Sequence, residues 1–223
     1  MAARKQALRG ATEPRLHSPY LKGKSKVDDV IELAKMIEIP LLPWQEFVLR
    51  DMLRVDAKGN WIRKTNLILV ARQNGKTHLT RMLILAHLLK WDSKNVIIAS
   101  SNRSMALDTF RQVAHVFENN ENLMQLVKQI RYANGTESIE MKDGRRLDVV
   151  AATRDGARGR SACALFLDEI REWSEDGYRA AMPVTRARPN AHTFLTSNAG
   201  DAFSVVLNQL RERALDNPPK SFG

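Results

Sequence analysis

Cysteine is nearly missing from this chain, with one residue, Cys163, among 223. An intrachain disulfide is therefore excluded and a cysteine-based metal site is disfavoured, as suits a reducing compartment. No apolar run approaches the roughly 20 residues that cross a bilayer. The N-terminus is basic without the apolar core of a signal peptide, so no membrane partner is expected. The five histidines, His17, His78, His87, His115 and His192, lack metal-ligand spacing, and no internal repeat or low-complexity tract is found. Acid is the scarcer charge: 25 Asp and Glu face 35 Lys and Arg, giving +10 and a pI near 10. A polyanionic partner follows, nucleic acid ahead of membrane. Hydrophobic residues at 43% and charged residues at 27% are ordinary for a globular protein. The length suits one α/β domain with a full core.

Residues 1–26 are polar and basic, carry Pro14, Pro19 and Gly23, and read as a flexible arm. Apolar residues at helical spacing predict helices over Val27 to Ile39 and Trp44 to Leu53, separated by Pro40 and Pro43. Trp61 and Ile62 suggest a short edge strand. Buried strands are then expected at Leu67–Ala71, Val96–Ser100, Ala164–Leu167 and Thr193–Thr196. Helices are expected over Thr77–Leu89, Met105–Glu118 and Asn122–Ile130. Ser138–Met141 and Leu147–Ala152 alternate around Lys142-Asp143-Gly144-Arg145, a hairpin pattern. Apolar strands separated by helices imply an α/β fold, a mainly parallel sheet with helices on both faces. Pro218 and Pro219 suggest that 201–223 begins a linker.

The strongest local signal is Val70-Ala71-Arg72-Gln73-Asn74-Gly75-Lys76-Thr77, set between a strand and a helix. That context is what phosphate binding needs: loop N–H groups and a helix N-terminus converge on an anion. Gln73, Asn74 and Gly75 supply the loop, Lys76 reaches the β- and γ-phosphates, and the Thr77 hydroxyl ligates Mg²⁺. Gly-Lys-Ser/Thr alone arises by chance in roughly one chain of this length in ten, so the flanking strand and helix carry the specificity. The glycine that usually opens the motif is replaced by Val70.

Some 90 residues on, the apolar run Ala164–Leu167 ends in Asp168 and Glu169. The first carboxylate suits the shell of Mg²⁺ and the second suits polarisation of the attacking water. Taken singly the pair could be a solvated acidic turn. Together with the upstream loop it should share one edge of the sheet. Thr193–Thr196 leads into Ser197-Asn198-Ala199-Gly200, small polar residues that could sense a γ-phosphate by hydrogen bonds. An arginine inside the phosphate loop, Arg72, could contact the charge developing there. Arg103, Arg145, Arg146, Arg186 and Arg188 are candidates for sequence-independent phosphate contacts with DNA, each with solvated charge as the plainer reading.

Ala71–Thr77 (ARQNGKT) resembles the deviant P-loop of tailed-phage terminase large subunits, whose opening glycine is often missing and followed by an arginine. Leu165–Glu169 (LFLDE) is similar to their acidic strand, and Thr196–Gly200 (TSNAG) to their coupling motif. Leu41–Gln45 (LLPWQ) resembles their adenine-recognition segment, which implies Gln45 as reader of the base edge. Arg158-Gly159 resembles the segment carrying an arginine finger that acts in trans in some members. The ordered set covers residues 41–200 and is more specific than any one motif. The resemblance implies an ASCE/RecA-like P-loop ATPase over 27–200, with 27–64 as N-terminal helices and adenine segment. It implies ATP and Mg²⁺ as ligands, and a motor that moves double-stranded DNA into a procapsid. Portal protein and a small terminase subunit are the implied partners, in a closed ring of about five subunits. The implied location is the host cytoplasm, transiently docked on the procapsid. A second, nuclease domain has no room after Gly200, so no nuclease activity is expected of this chain. The alternatives are a helicase-like translocase and a non-catalytic nucleic-acid-binding scaffold.

Overall fold

The computed structural model describes residues 10–151 and 160–223. Arg158 and Gly159 lie outside the described residues. Two helices, α1 (Val27–Met36) and α2 (Pro43–Met52), precede a run in which strands and helices alternate. It comprises β1 (Thr65–Leu69), α3 (Lys76–Leu89), β2 (Asn95–Ser100), α4 (Arg103–Glu118), α5 (Glu121–Met124), β3 (Val127–Arg131), β4 (Ser138–Met141) and β5 (Arg146–Ala151). β6 (Ala164–Asp168), α6 (Glu175–Ala181), β7 (His192–Ser197) and α7 (Val205–Leu215) complete it. The seven strands form one sheet in the order β1-β7-β6-β2-β5-β4-β3. The first five in that order run parallel, and the β3–β4–β5 pairings are antiparallel. This is the mainly parallel α/β sheet expected.

The central strands are apolar on both sides because both sides are covered. Val96, Ile98, Ala164, Phe166 and Phe194 pack into one cluster with α1, α3 and α4. Their neighbours Ile97, Ala99, Leu165, Leu167 and Leu195 pack into the other with α6 and α7. Strand side chains point alternately to opposite faces, so each of these strands serves two cores at once. Phe166 and Phe194 stack with ring centroids 4.9 Å apart. Helix α3 is the most enclosed, with nine buried residues between Leu79 and Leu88.

Three expectations need correction. The helix foreseen over 122–130 is only α5, after which the chain extends into β3. Val127 and Ile130 carry too short an apolar pattern to specify a period, and β4 supplies the backbone partners that a helix would find internally. Lys128 and Arg131 sit exposed on this edge strand, which discourages further pairing. The segment 201–223 does not leave as a linker: α7 buries Val206, Leu207 and Leu210. The last residues then run beside β1, where the Leu67 N–H donates to Gly223 O at 2.7 Å.

Nor is the whole of 1–26 an arm. Buried Arg63 fastens its last part, donating to Pro19 O at 2.6 Å, to Phe222 O at 2.8 Å and to Asp51 Oδ2 at 2.9 Å. The segments around Pro19 and Phe222 are thus tied to one guanidinium. Ser18 also donates to Ala214 O at 2.9 Å.

Candidate active site

Strand order decides what meets what. β7 lies between β1 and β6, in parallel register with both (Leu69 opposite Ser197, Leu167 opposite Leu195). Neighbouring strands lie about 4.8 Å apart, so the ends of β1 and β6 are about 10 Å apart with β7 between. The phosphate loop leaves β1, Asp168 and Glu169 end β6, and Asn198 follows β7. All three segments open on the same edge, around a cavity of about 620 Å³.

The loop turns without the missing glycine. Its left-handed residues are Gln73 (φ 60°) and Gly75 (φ 89°), and Val70 is not among them. Asn74 steadies the turn, its amide donating to Arg72 O at 2.9 Å and Ala71 O at 3.3 Å. Gly75 caps the N-terminus of α3, and a Cβ there would sit 2.8 Å from Gln45 Nε2 and 3.2 Å from Leu42 Cδ1. Both the positive φ and the close approach therefore demand glycine. The contact has a purpose: buried Gln45 donates from Nε2 to Gly75 O at 2.9 Å and accepts the Leu42 N–H on Oε1 at 2.8 Å. Gln45 is thus behind the loop rather than among the cavity-lining residues, and both ends of its amide are engaged. In this placement it holds the loop to α2.

Lys76 projects across the cavity to the far strands. Its Nζ donates to Glu169 Oε2 at 3.4 Å and also bonds to Asn198 Oδ1. Asn198 Nδ2 in turn donates to Glu169 Oε1 at 3.0 Å, so the three side chains close a ring of contacts. Asp168 Oδ1 accepts from Thr196 Oγ1 at 2.6 Å and from the Glu169 N–H at 2.8 Å. Among the described residues Asp168 Oδ2 accepts no hydrogen bond. Glu169 is 4% exposed and adopts φ 54°, ψ 53°, a conformation uncommon for a non-glycine residue. Thr77 and Arg72 also line the cavity, as do Gln73, Ser101, Asn102 and Met105.

Two participants escaped sequence reasoning. Thr196 orients Asp168 from β7, signalled only by its place in the Thr196–Gly200 run. Arg171, in the 3-10 turn Ile170–Glu172, donates from Nε to Glu169 Oε1 at 2.6 Å, and nothing in the pattern marked it. The proposed DNA arginines do not gather here. Arg103 pairs with the nearly buried Glu137, whose carboxyl burial alone would push up but Arg103 and backbone N–H groups bring below the usual range. Arg145 pairs with Asp143, and Arg146 with Asp148 at 2.8 Å. Arg188 donates to Ser161 Oγ at 3.3 Å, and Arg186 is exposed.

Comparison with known proteins agrees with this architecture. The large terminase of bacteriophage HK97 superposes with a TM-score of 0.75 at 18% identity, over 89% of this chain and 43% of that one. The large terminase ATPase domain of Thermus phage P74-26 gives 0.62 at 14% identity, over 78% and 71%. The large terminase of another thermophilic bacteriophage, in complex with ADP, gives 0.52 at 14% identity, over 68% and 39%. The chain thus spans under half of the HK97 protein, and these likenesses establish the fold. No curated protein sequence matches. The model of the N-terminal part of the T4-like-virus-type terminase large subunit matches residues 67–212, well over half of the 223, from β1 through most of α7. The chain belongs to the terminase large subunit family.

Proposed function

We propose that this domain binds and hydrolyses MgATP, and that in the assembled packaging machine the cycle drives double-stranded DNA into a procapsid. The observation that carries the reading is the meeting of Lys76 with Glu169 and Asn198 across one cavity at the N-terminus of α3. A pocket of this kind, with a lysine at a helix start and two carboxylates opposite, matches a nucleoside triphosphate and its metal. The loop N–H groups and Lys76 would take the β- and γ-phosphates. The donor set fits Mg²⁺, which prefers one or two protein oxygens plus phosphates and water; Thr77 Oγ1 and Asp168 Oδ2 would hold it. When bound, that ion supplies charge neutralisation at the phosphates.

Glu169 serves as the base. Lys76 moving onto the triphosphate releases Oε2, which then accepts the proton of the water attacking the γ-phosphorus as the bond to ADP breaks. Arg72 lies on the cavity wall and would meet the γ-phosphate. Arg158 remains the proposed trans finger, in a ring that also engages portal and small terminase subunit in the host cytoplasm. The thermophilic-phage large terminase solved in complex with ADP, and again in complex with ATP-γ-S, supports the nucleotide class. Steady-state ATP turnover with and without DNA, on wild type, Lys76→Ala and Glu169→Gln, tests this. Losses of about 100-fold or more are expected in both variants. Turnover unchanged by either substitution would refute it.

A further inference from the structure

Among the described residues Glu169 has three side-chain partners, and the proposed reaction moves one of them away and removes a contact of the second. Lys76 must leave for the phosphates, and Asn198 is bonded to Lys76 as well as to Glu169. Arg171 is the third, at 2.6 Å; it also lines the cavity and has anchors of its own outside the phosphate loop. Its backbone N–H donates to Ser197 Oγ at 3.1 Å, and its Nη2 pairs with Glu172 Oε1 at 3.1 Å. The side chain of Glu169 is 5% exposed, so once Lys76 departs Arg171 is the counter-charge still in contact with its carboxylate. A charge that enclosed is costly unless paired.

We propose that Arg171 is a positioning residue for ATP hydrolysis. By holding Glu169 Oε1 through Nε–H it keeps the carboxylate paired when Lys76 moves, and it leaves Oε2 as the oxygen turned to the attacking water. The left-handed backbone of Glu169 and the 3-10 turn that follows put both residues of the pair on one short, tightly bonded segment. The orientation is thereby fixed from two sides, by Arg171 and by the turn itself. This inference rests on the nucleotide reading above.

Three variants of the chain test it: Arg171→Ala, Arg171→Lys, and Arg171→Ala combined with Glu169→Gln. ATP turnover, equilibrium binding of ATP-γ-S with Mg²⁺, and thermal midpoint are measured for each. Arg171→Ala should lower kcat about 10- to 100-fold while KM and the ATP-γ-S affinity stay within about twofold. Arg171→Lys should recover part of the loss, because a cation returns without the planar fork. In the Glu169→Gln background, removing Arg171 should cost nothing further, since both act through one carboxylate. Unchanged kcat in Arg171→Ala overturns the proposal, and so does a parallel fall in affinity and midpoint or an additive loss in the double variant. If the alanine variant does not fold, Arg171→Lys with and without Glu169→Gln makes the same comparison. A wild-type chain that fails to bind ATP-γ-S would instead remove the nucleotide reading beneath it.

Discussion

Mild acid should destabilise this domain well before its carboxylates titrate. His87 and His192 are both fully buried, beside Trp61, Trp91, Phe166 and Phe194. Burial, with the charge of Lys26 adding to it, pushes His87 down to about 3. Burial, followed by the neighbouring His87, holds His192 well below the usual imidazole range. Each folded-state value is lower than its unfolded one, near 6.5, so the unfolded chain binds the extra proton. The neutral rings contribute their stability fully above about pH 6.5, and it is lost as pH falls below that value. His87 then costs about 1.4 kcal/mol per pH unit, hence about 2 kcal/mol at pH 5, and His192 adds a cost of the same sign. That is a large part of a typical 5–15 kcal/mol. Urea unfolding at pH 7.5, 6.5, 5.5 and 5.0 reads the slope. His87→Phe, whose ring needs no partner for the unbonded Nε2, should remove about half of it. Stability that stays flat from pH 7.5 to 5, or a slope untouched by His87→Phe, would refute the reasoning.

Gly75→Ala should lower ATP-γ-S affinity at least tenfold with an intact far-UV spectrum, because the added Cβ meets Gln45 and forces the loop off α2; equal affinity to wild type would count against the loop geometry. Arg63→Ala leaves Asp51 without its cation and frees both chain ends, and should destabilise by about 3–5 kcal/mol in urea titrations. Truncating Arg186, exposed and away from the cavity, should leave ATP-γ-S binding unchanged.

What was legible in the sequence was what is local. The phosphate loop is eight consecutive residues whose chemistry, strand and helix are all written in order. Asp168 and Glu169 are readable because an apolar strand must end where its charged residues reach solvent. The hairpin of β4 and β5 shows itself through alternation on either side of a Gly144 turn with φ 87°. What was not legible depends on strand order. Nothing in residues 192–200 says that β7 inserts between β1 and β6, yet that insertion lets Asn198 bridge Lys76 and Glu169 and lets Thr196 orient Asp168. Gln45 is a similar case: its motif announced an interaction with the nucleotide site, while only packing of α2 reveals that the loop carbonyl takes its amide. Arg171 is an ordinary charge until a 3-10 turn folds it back onto Glu169. The tails misled because Pro and basic residues read as mobile, whereas Arg63 lies far from both in sequence and next to both in space.

A structure of the chain with Mg²⁺ and ATP-γ-S would weigh the proposal at its root. The metal should lie about 2.1 Å from Thr77 Oγ1, with Asp168 in its shell directly or through water. Lys76 Nζ should sit on the β- and γ-phosphates, no longer bonded to Glu169 or Asn198. Nucleotide bound elsewhere, or Lys76 still held by Asn198 with the triphosphate in place, would contradict it.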